Sequence, residues 1–358
     1  MTGTESILAY TTNSEDVVQI AIFSIGMVVG LIIIIFFQIV ILRIILIIRN
    51  RRYEKFINLW RPIIMESLAV PIDNAPKLKP RHAKYFMLEW NSLYDKLGRG
   101  SQGNLVQFAS SIGINKYASY LLIARQPKDR ITGIITLGHL RITGLWDILK
   151  AIAENETLVL SLASFRALLH IDSVRALGEL FPLIIKRDDW PISMVAKILK
   201  EVENTSICSY LVSSALENDG ADLSRVIQLM DVLQCASFGK VFSQLLAKEQ
   251  SSQVISLCMQ ALRDPQYLSM VKDYATHQDA GVRISVASAL GRLGTKQDIE
   301  LLISLLLDDD WWVRYRAAQS LSKFPFVDKT QFLEIEQRID NQNTKDIMQQ
   351  VLAEWDIL

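Results

Sequence analysis

The sequence predicts an all-α membrane protein: one transmembrane helix followed by an α-solenoid of about seven helix pairs. Three observations lead there. Val17 to Ile48 is almost continuously apolar, interrupted only by Gln19, Ser24, Gln38 and Arg43 among polar side chains. The remainder carries helical apolar spacing with no period-two alternation, so no sheet is expected. Near the C-terminus, Val282 and Val313, Arg283 and Arg314, and Leu290 and Leu321 all recur at a spacing of 31 residues.

The elements follow in chain order. Residues 1–16 form an acidic tail with Glu5, Glu15 and Asp16 and neither Lys nor Arg. Residues 17–48 form the span. Val17 to Leu42 holds 19 Ile, Leu, Val or Phe residues, which favour insertion by roughly 6–11 kcal/mol. As a helix the run would measure about 48 Å, against a hydrocarbon core of about 30 Å. It must tilt or leave the bilayer near Arg43, whose side chain can snorkel to the headgroups. A cleaved signal peptide fits poorly, because the tail lacks a basic region and the apolar run is too long. Gly26 and Gly30 form a G-x-x-x-G face expected to contact another membrane helix, with lipid exposure as the alternative.

Residues 49–80 read as a basic juxtamembrane segment and linker. Arg43, Arg49, Arg51, Arg52, Lys55 and Arg61 face only Glu54. Basic flanks stay cytoplasmic, so the N-terminus is expected outside and the solenoid inside, at the inner membrane. Arg43, Arg49, Arg51, Arg52 and Lys55 should also meet anionic headgroups, at about 1 kcal/mol each. Leu59, Ile63 and Ile64 would share one side of a helix from Arg49 to Leu68, and Pro71 to Pro80 should be extended.

Residues 81–340 are assigned to the solenoid. A leucine series runs Leu137, Leu168, Leu199, Leu233, Leu262, Leu290 and Leu321, the mark of stacked helix pairs. Residues 341–358 should cap the stack through Ile347, Val351, Leu352 and Trp355. Cys208, Cys235 and Cys258 lack metal-type spacing and read as buried, reduced thiols of a cytosolic unit.

Over 279–325 the pattern resembles the HEAT-repeat family, in its short lyase-type form. The carrying residues include Val282, Arg283, Ala287, Ala289, Leu290 and Gly291, then Leu305, Leu306, Asp308, Val313, Arg314, Ala317, Ala318 and Leu321. Upstream, 129–265 keeps the leucine and small-residue spacing but loses most of the Asp and Val-Arg signature. Arg283, Arg314 and Arg130, at the equivalent offset before Leu137, read as a structural ladder, with a row facing an anionic partner as the alternative. Of Trp311 and Trp312, one is expected to pack inward and the other to offer a protein interface.

Catalytic signatures are missing: there is no P-loop, G-x-G-x-x-G, G-x-S-x-G or H-E-x-x-H. No enzyme activity, cofactor or metal is expected. His139 and His170, 31 residues apart, should share a surface in a structural role. Equal numbers of acidic and basic residues, 38 of each, argue against nucleic acid. The layout also resembles bacterial single-span HEAT-repeat proteins associated with membrane family 2 glycosyltransferases of the cellulose-synthase kind. That resemblance rests on the span, Trp60-Arg61-Pro62, Phe86 to Tyr94, Leu137-Gly138 and Asp188-Asp189-Trp190-Pro191. It implies a non-catalytic subunit beside a polytopic glycosyltransferase, for an envelope polysaccharide. A lyase-like enzyme and a general signalling or secretion adaptor are the alternatives.

Overall fold

The structure is a computed structural model. It describes the backbone except at 1–3, 70–71, 73–74, 99, 101, 202–205, 236–237, 249–250 and 356–358. The side chains of 4–21, 24, 49 and 206 are likewise outside the described residues. Among the described residues every regular element is helical. The chain divides into two compact units, 1–123 and 124–358.

The first unit contains α1 (Thr4–Glu66), α2 (Pro80–Tyr94), α3 (Gln102–Ser111) and α4 (Ile114–Leu121). α1 is one helix of 63 residues, so the juxtamembrane residues continue the apolar segment without a break. From Ile25 onward it is long and apolar enough to cross a membrane, and none of its apolar window is buried inside the protein. Beyond Ile48 its character changes. Phe56, Trp60, Ile64 and Ser67 are buried, at spacings of four, four and three residues, which follow one face of a helix. Leu59, expected to share a side with Ile63 and Ile64, is exposed while Ile64 is buried, because Leu59 lies off that stripe. The buried face packs on α2: Trp60 meets Phe86 edge-on at 5.4 Å and Phe56 meets His82 at 5.8 Å. Tyr53 donates to Glu89. Trp90 of α2 donates its Nε1–H to the Leu105 carbonyl at 3.1 Å. Gly113, at φ 74°, supplies the left-handed turn between α3 and α4.

The second unit begins with α5 (Pro127–His139), α6 (Trp146–Asn155), α7 (Leu158–Ile171), α8 (Ser173–Lys186), α9 (Ile192–Lys200) and α10 (Ser206–Glu217). It continues through α11 (Gly220–Leu233), α12 (Phe238–Leu246), α13 (Ser252–Ala261), α14 (Leu268–Lys272) and α15 (Ala280–Leu293). The last helices are α16 (Ile299–Leu305), α17 (Trp311–Ser322), α18 (Lys329–Arg338) and α19 (Gln342–Trp355). Helices pack on the next in sequence, as α6 on α7 and α16 on α17, and on the next but one: α9, α11, α13, α15, α17 and α19 form one row. This is the stacking of a helical-repeat array. Helices pack closely where small residues face each other, between α5 and α7 and between α15 and α17. A Cβ at Gly138 would stand 2.6 Å from the Ala167 Cα, and one at Gly291 would stand 2.7 Å from the Ser320 Cβ. The two pairs have the same separation in sequence, one repeat apart in the stack. α19 closes the row with Thr344, Ile347, Met348 and Val351 buried. Trp355 sits edge-on to Phe332 at 5.7 Å.

The cysteines depart from expectation. Cys208, in α10, and Cys235, just after α11, form a disulfide, with Cα atoms 5.6 Å apart. Gln234 takes a left-handed conformation at φ 54°, and the Cys235 N–H bonds back to the Met230 carbonyl at 3.2 Å. This sharp C-terminal turn carries Cys235 back toward α10. Cys258 is the free, buried thiol, and burial pushes its pKa up to about 12.

Candidate functional site

The site is the turn from α16 into α17, and its frame is visible twice. In the preceding repeat the Asp279 carboxylate accepts from the Gly281 N–H at 2.7 Å. In α17 the Asp310 carboxylate accepts from the N–H groups of Trp312 and Val313, at 2.8 and 3.2 Å. Both are N-cap bonds, satisfying backbone donors that a helix start leaves free.

The arginines obey the same geometry. Arg283 donates Nη1–H to the carbonyls of His277 and Gln278, at 2.7 and 3.0 Å. Arg314 donates Nη1–H to the carbonyls of Asp308 and Asp309, at 2.7 and 2.9 Å. In each case the acceptors lie six and five residues upstream. Arg283 also grips Asp308 with both arms, Nε to Oδ2 at 2.6 Å and Nη2 to Oδ1 at 2.7 Å. Burial pulls the Asp308 carboxyl upward. The bonds from Arg283 and the Asp310 N–H outweigh it, so its pKa lies below the ordinary value. Among the described residues Arg314 has no carboxylate in the matching place, and its buried Nε–H has no hydrogen-bond acceptor. Arg130 pairs with Glu156 at 2.7 Å. All three arginines therefore hold turns or neighbouring helices together.

What differs between the two turns is what they display. The first carries Thr276, Ala280 and Gly281; the second carries Leu307, Trp311 and Trp312 at the corresponding places. Neither tryptophan packs into the core: Trp311 is 39% exposed, Trp312 61% and Leu307 55%. Trp311 lies flat on Tyr315, with centroids 5.2 Å apart and planes 8° from parallel. Trp312 stands edge-on to Trp311 at 4.6 Å. Tyr315 in turn donates its hydroxyl to Glu354 of α19 at 2.9 Å. These ring contacts and the Tyr315 hydroxyl bond hold the cluster in place.

The remaining sequence candidates fall elsewhere. A Cβ at Gly26 or Gly30 would meet nothing within 4 Å, as expected of a segment exposed along its length. Arg43, Arg51, Arg52 and Lys55 are exposed along the same helix; the Arg49 side chain lies outside the described residues. The repeat spacing does bring His139 and His170 together, edge-on at 5.3 Å. His170 contacts the Glu201 carboxylate at 3.4 Å, and Arg166 donates to it at 2.6 Å. Among the described residues no group of His, Cys, Asp and Glu could hold a metal ion. Trp190 was legible as a motif residue but is fully buried, tilted against Phe165 at 5.2 Å.

Fold and site together define a helical-repeat protein with a presented aromatic turn. Residues 240–322, the segment bearing the site, match the family model of HEAT repeats. No curated protein matches the chain. Among solved structures, a crystal structure of an engineered protein aligns over 85% of this chain and 98% of its own, at 12% identity and a TM-score of 0.36.

Proposed function

We propose that the protein is a membrane-anchored, non-catalytic scaffold: α1 crosses the membrane and the repeat unit docks a protein partner through Trp311 and Trp312. The observation that carries this is the duplicated turn. The fold builds the same frame with Ala280 and Gly281, so exposed tryptophans are not required for folding. Large rigid aromatics at a surface are the usual anchors of interfaces.

The finer reading concerns place and partner. The basic flank of α1 favours a cytoplasmic repeat unit at the inner membrane. The short motifs shared with single-span partners of membrane family 2 glycosyltransferases favour such an enzyme as the partner, for making or exporting an envelope polysaccharide. The Gly26–Gly30 spacing supports a second contact inside the bilayer.

Capture of the tagged full chain in mild detergent tests this. Wild type should recover a polytopic glycosyltransferase, and the Trp311→Ala/Trp312→Ala and Gly26→Ile/Gly30→Ile variants should recover less. Recovery of no membrane glycosyltransferase would remove that partner. Release of the wild-type chain from membranes by alkaline carbonate would remove the anchor.

A further inference from the structure

We infer that the aromatic turn docks a cationic segment, an arginine or lysine side chain presented by the partner protein, over Trp312 and beside Asp309. This deepens the scaffold reading and rests on it.

The chain shows this chemistry twice within itself. Arg175 lies over the Trp146 ring, 4.2 Å from its centroid. Glu179 stands beside both, accepting from Arg175 at 2.7 Å and from the indole N–H of Trp146 at 3.2 Å. Arg187 lies 5.6 Å from the Trp190 centroid, and its guanidinium is paired with Asp189 at 2.6 Å. Each unit joins an indole face, a guanidinium and an adjacent carboxylate. The ring quadrupole attracts the cation, and the carboxylate takes its N–H groups.

At the α17 turn two of the three parts are present. Trp312 supplies an indole 61% exposed. Asp309, three residues before it, is exposed. Its carboxylate makes no hydrogen bond or ion pair among the described residues, since Asp308 takes Arg283 and Asp310 takes the backbone. The third part is missing: among the described residues, guanidinium groups lie over Trp146 and Trp190 and none lies over Trp312. Local cations do not fill the place. Arg314 turns toward the carbonyls of Asp308 and Asp309, and Arg316 donates to the Gln319 side chain at 2.7 Å. The duplicated turn lacks the indole altogether.

The same charges decide between partner classes. An anionic segment would need free cations, and Arg283 and Arg314 are committed to the turn. A neutral sugar would use the indole face but gain little from the carboxylate.

The test uses the full chain in detergent micelles, with isothermal titration of tetra-arginine amide, tetra-glutamate and cellotetraose. Tetra-arginine amide should bind and the other two should not. Trp312→Ala should weaken it roughly two- to fivefold, and Asp309→Asn should weaken it as well. Raising salt to about 1 M should also weaken it, because an exposed charge pair is screened. Thermal melting of the variants should match wild type, since the preceding repeat already carries small residues there. Tetra-arginine binding that is absent, or unchanged in Trp312→Ala, overturns the inference. Cellotetraose binding that depends on Trp312 but not on Asp309 does so too. Partner capture that depends on Trp311 and Trp312 without tetra-arginine binding would keep the scaffold and remove only the cationic partner. Capture independent of both tryptophans would remove the docking role itself.

Discussion

Arg283 and Arg314 occupy the same position in consecutive repeats, and replacing each by alanine should not cost the same. Each loses two charge-assisted bonds to carbonyls of the preceding turn. Water can recover part of that loss, leaving a cost of about 1.5 kcal/mol. Arg283→Ala also strands Asp308. The two side chains are 15% and 10% exposed, so the carboxylate is left largely buried without its partner. Breaking such a pair costs about 3–5 kcal/mol, and residual solvent access puts this one near the lower end. For a unit of this size, the two losses together, about 4.5 kcal/mol, lower Tm by roughly 9–18 °C. Arg314→Ala should lower it about a third as far. Thermal melts of the full chain in detergent, followed by circular dichroism, measure both. The gap should also depend on pH. The folded pKa of Asp308 is depressed. The pair therefore contributes fully above the unfolded value of about 3.9 and loses its contribution as pH falls through the lower folded value. The difference between wild type and Arg283→Ala should shrink below about pH 4. Equal destabilisation by the two substitutions, or a gap constant from pH 7 to 3, would refute the ion-pair account.

Two further outcomes follow from the packing and the disulfide. Gly291→Ala should destabilise, although alanine normally gains about 1 kcal/mol over glycine in a helix. Its methyl would stand 2.7 Å from the Ser320 Cβ, and such overpacking costs about 1–3 kcal/mol. Ser320→Gly should restore much of the loss, and a melt showing Gly291→Ala more stable than wild type would contradict the close helix approach. The Cys208–Cys235 disulfide belongs in an oxidising compartment, whereas the orientation proposed from the basic flank of α1 puts the repeat unit in the cytoplasm. On the proposed orientation, denaturing in the presence of a maleimide should label all three cysteines of protein taken directly from cells. Labelling of Cys258 alone would place the repeat unit on the other side of the membrane.

Much of this was readable in advance where the signal is local. The apolar run needs only composition and length, and α1 is there. The recurrence of Val-Arg and of the leucines needs only register, and the helix row follows it. The disulfide was not readable, because 27 residues separate its cysteines and only the turn at Gln234 brings Cys235 back. The grouping of Leu59 with Ile63 and Ile64 on one side of α1 does not hold for burial: Ile64 is buried with Phe56 and Trp60, and Leu59 is exposed.

The presented tryptophans mark the boundary most clearly. Asp-Asp-Trp occurs at 188–190 and again at 309–311. Both copies lead into a helix, but an acidic side chain satisfies the free N–H groups only in the second, where Asp310 accepts from Trp312 and Val313; in the first, Asp189 pairs with Arg187 instead. Burial is decided elsewhere. Pro191 caps α9, so Trp190 precedes the helix and turns in against Phe165. Asp310 caps α17, so Trp311 is already its first residue. That shift of two positions rotates the indole from the core to the surface. Only the packed helices of the repeat unit determine which side of the chain each position faces.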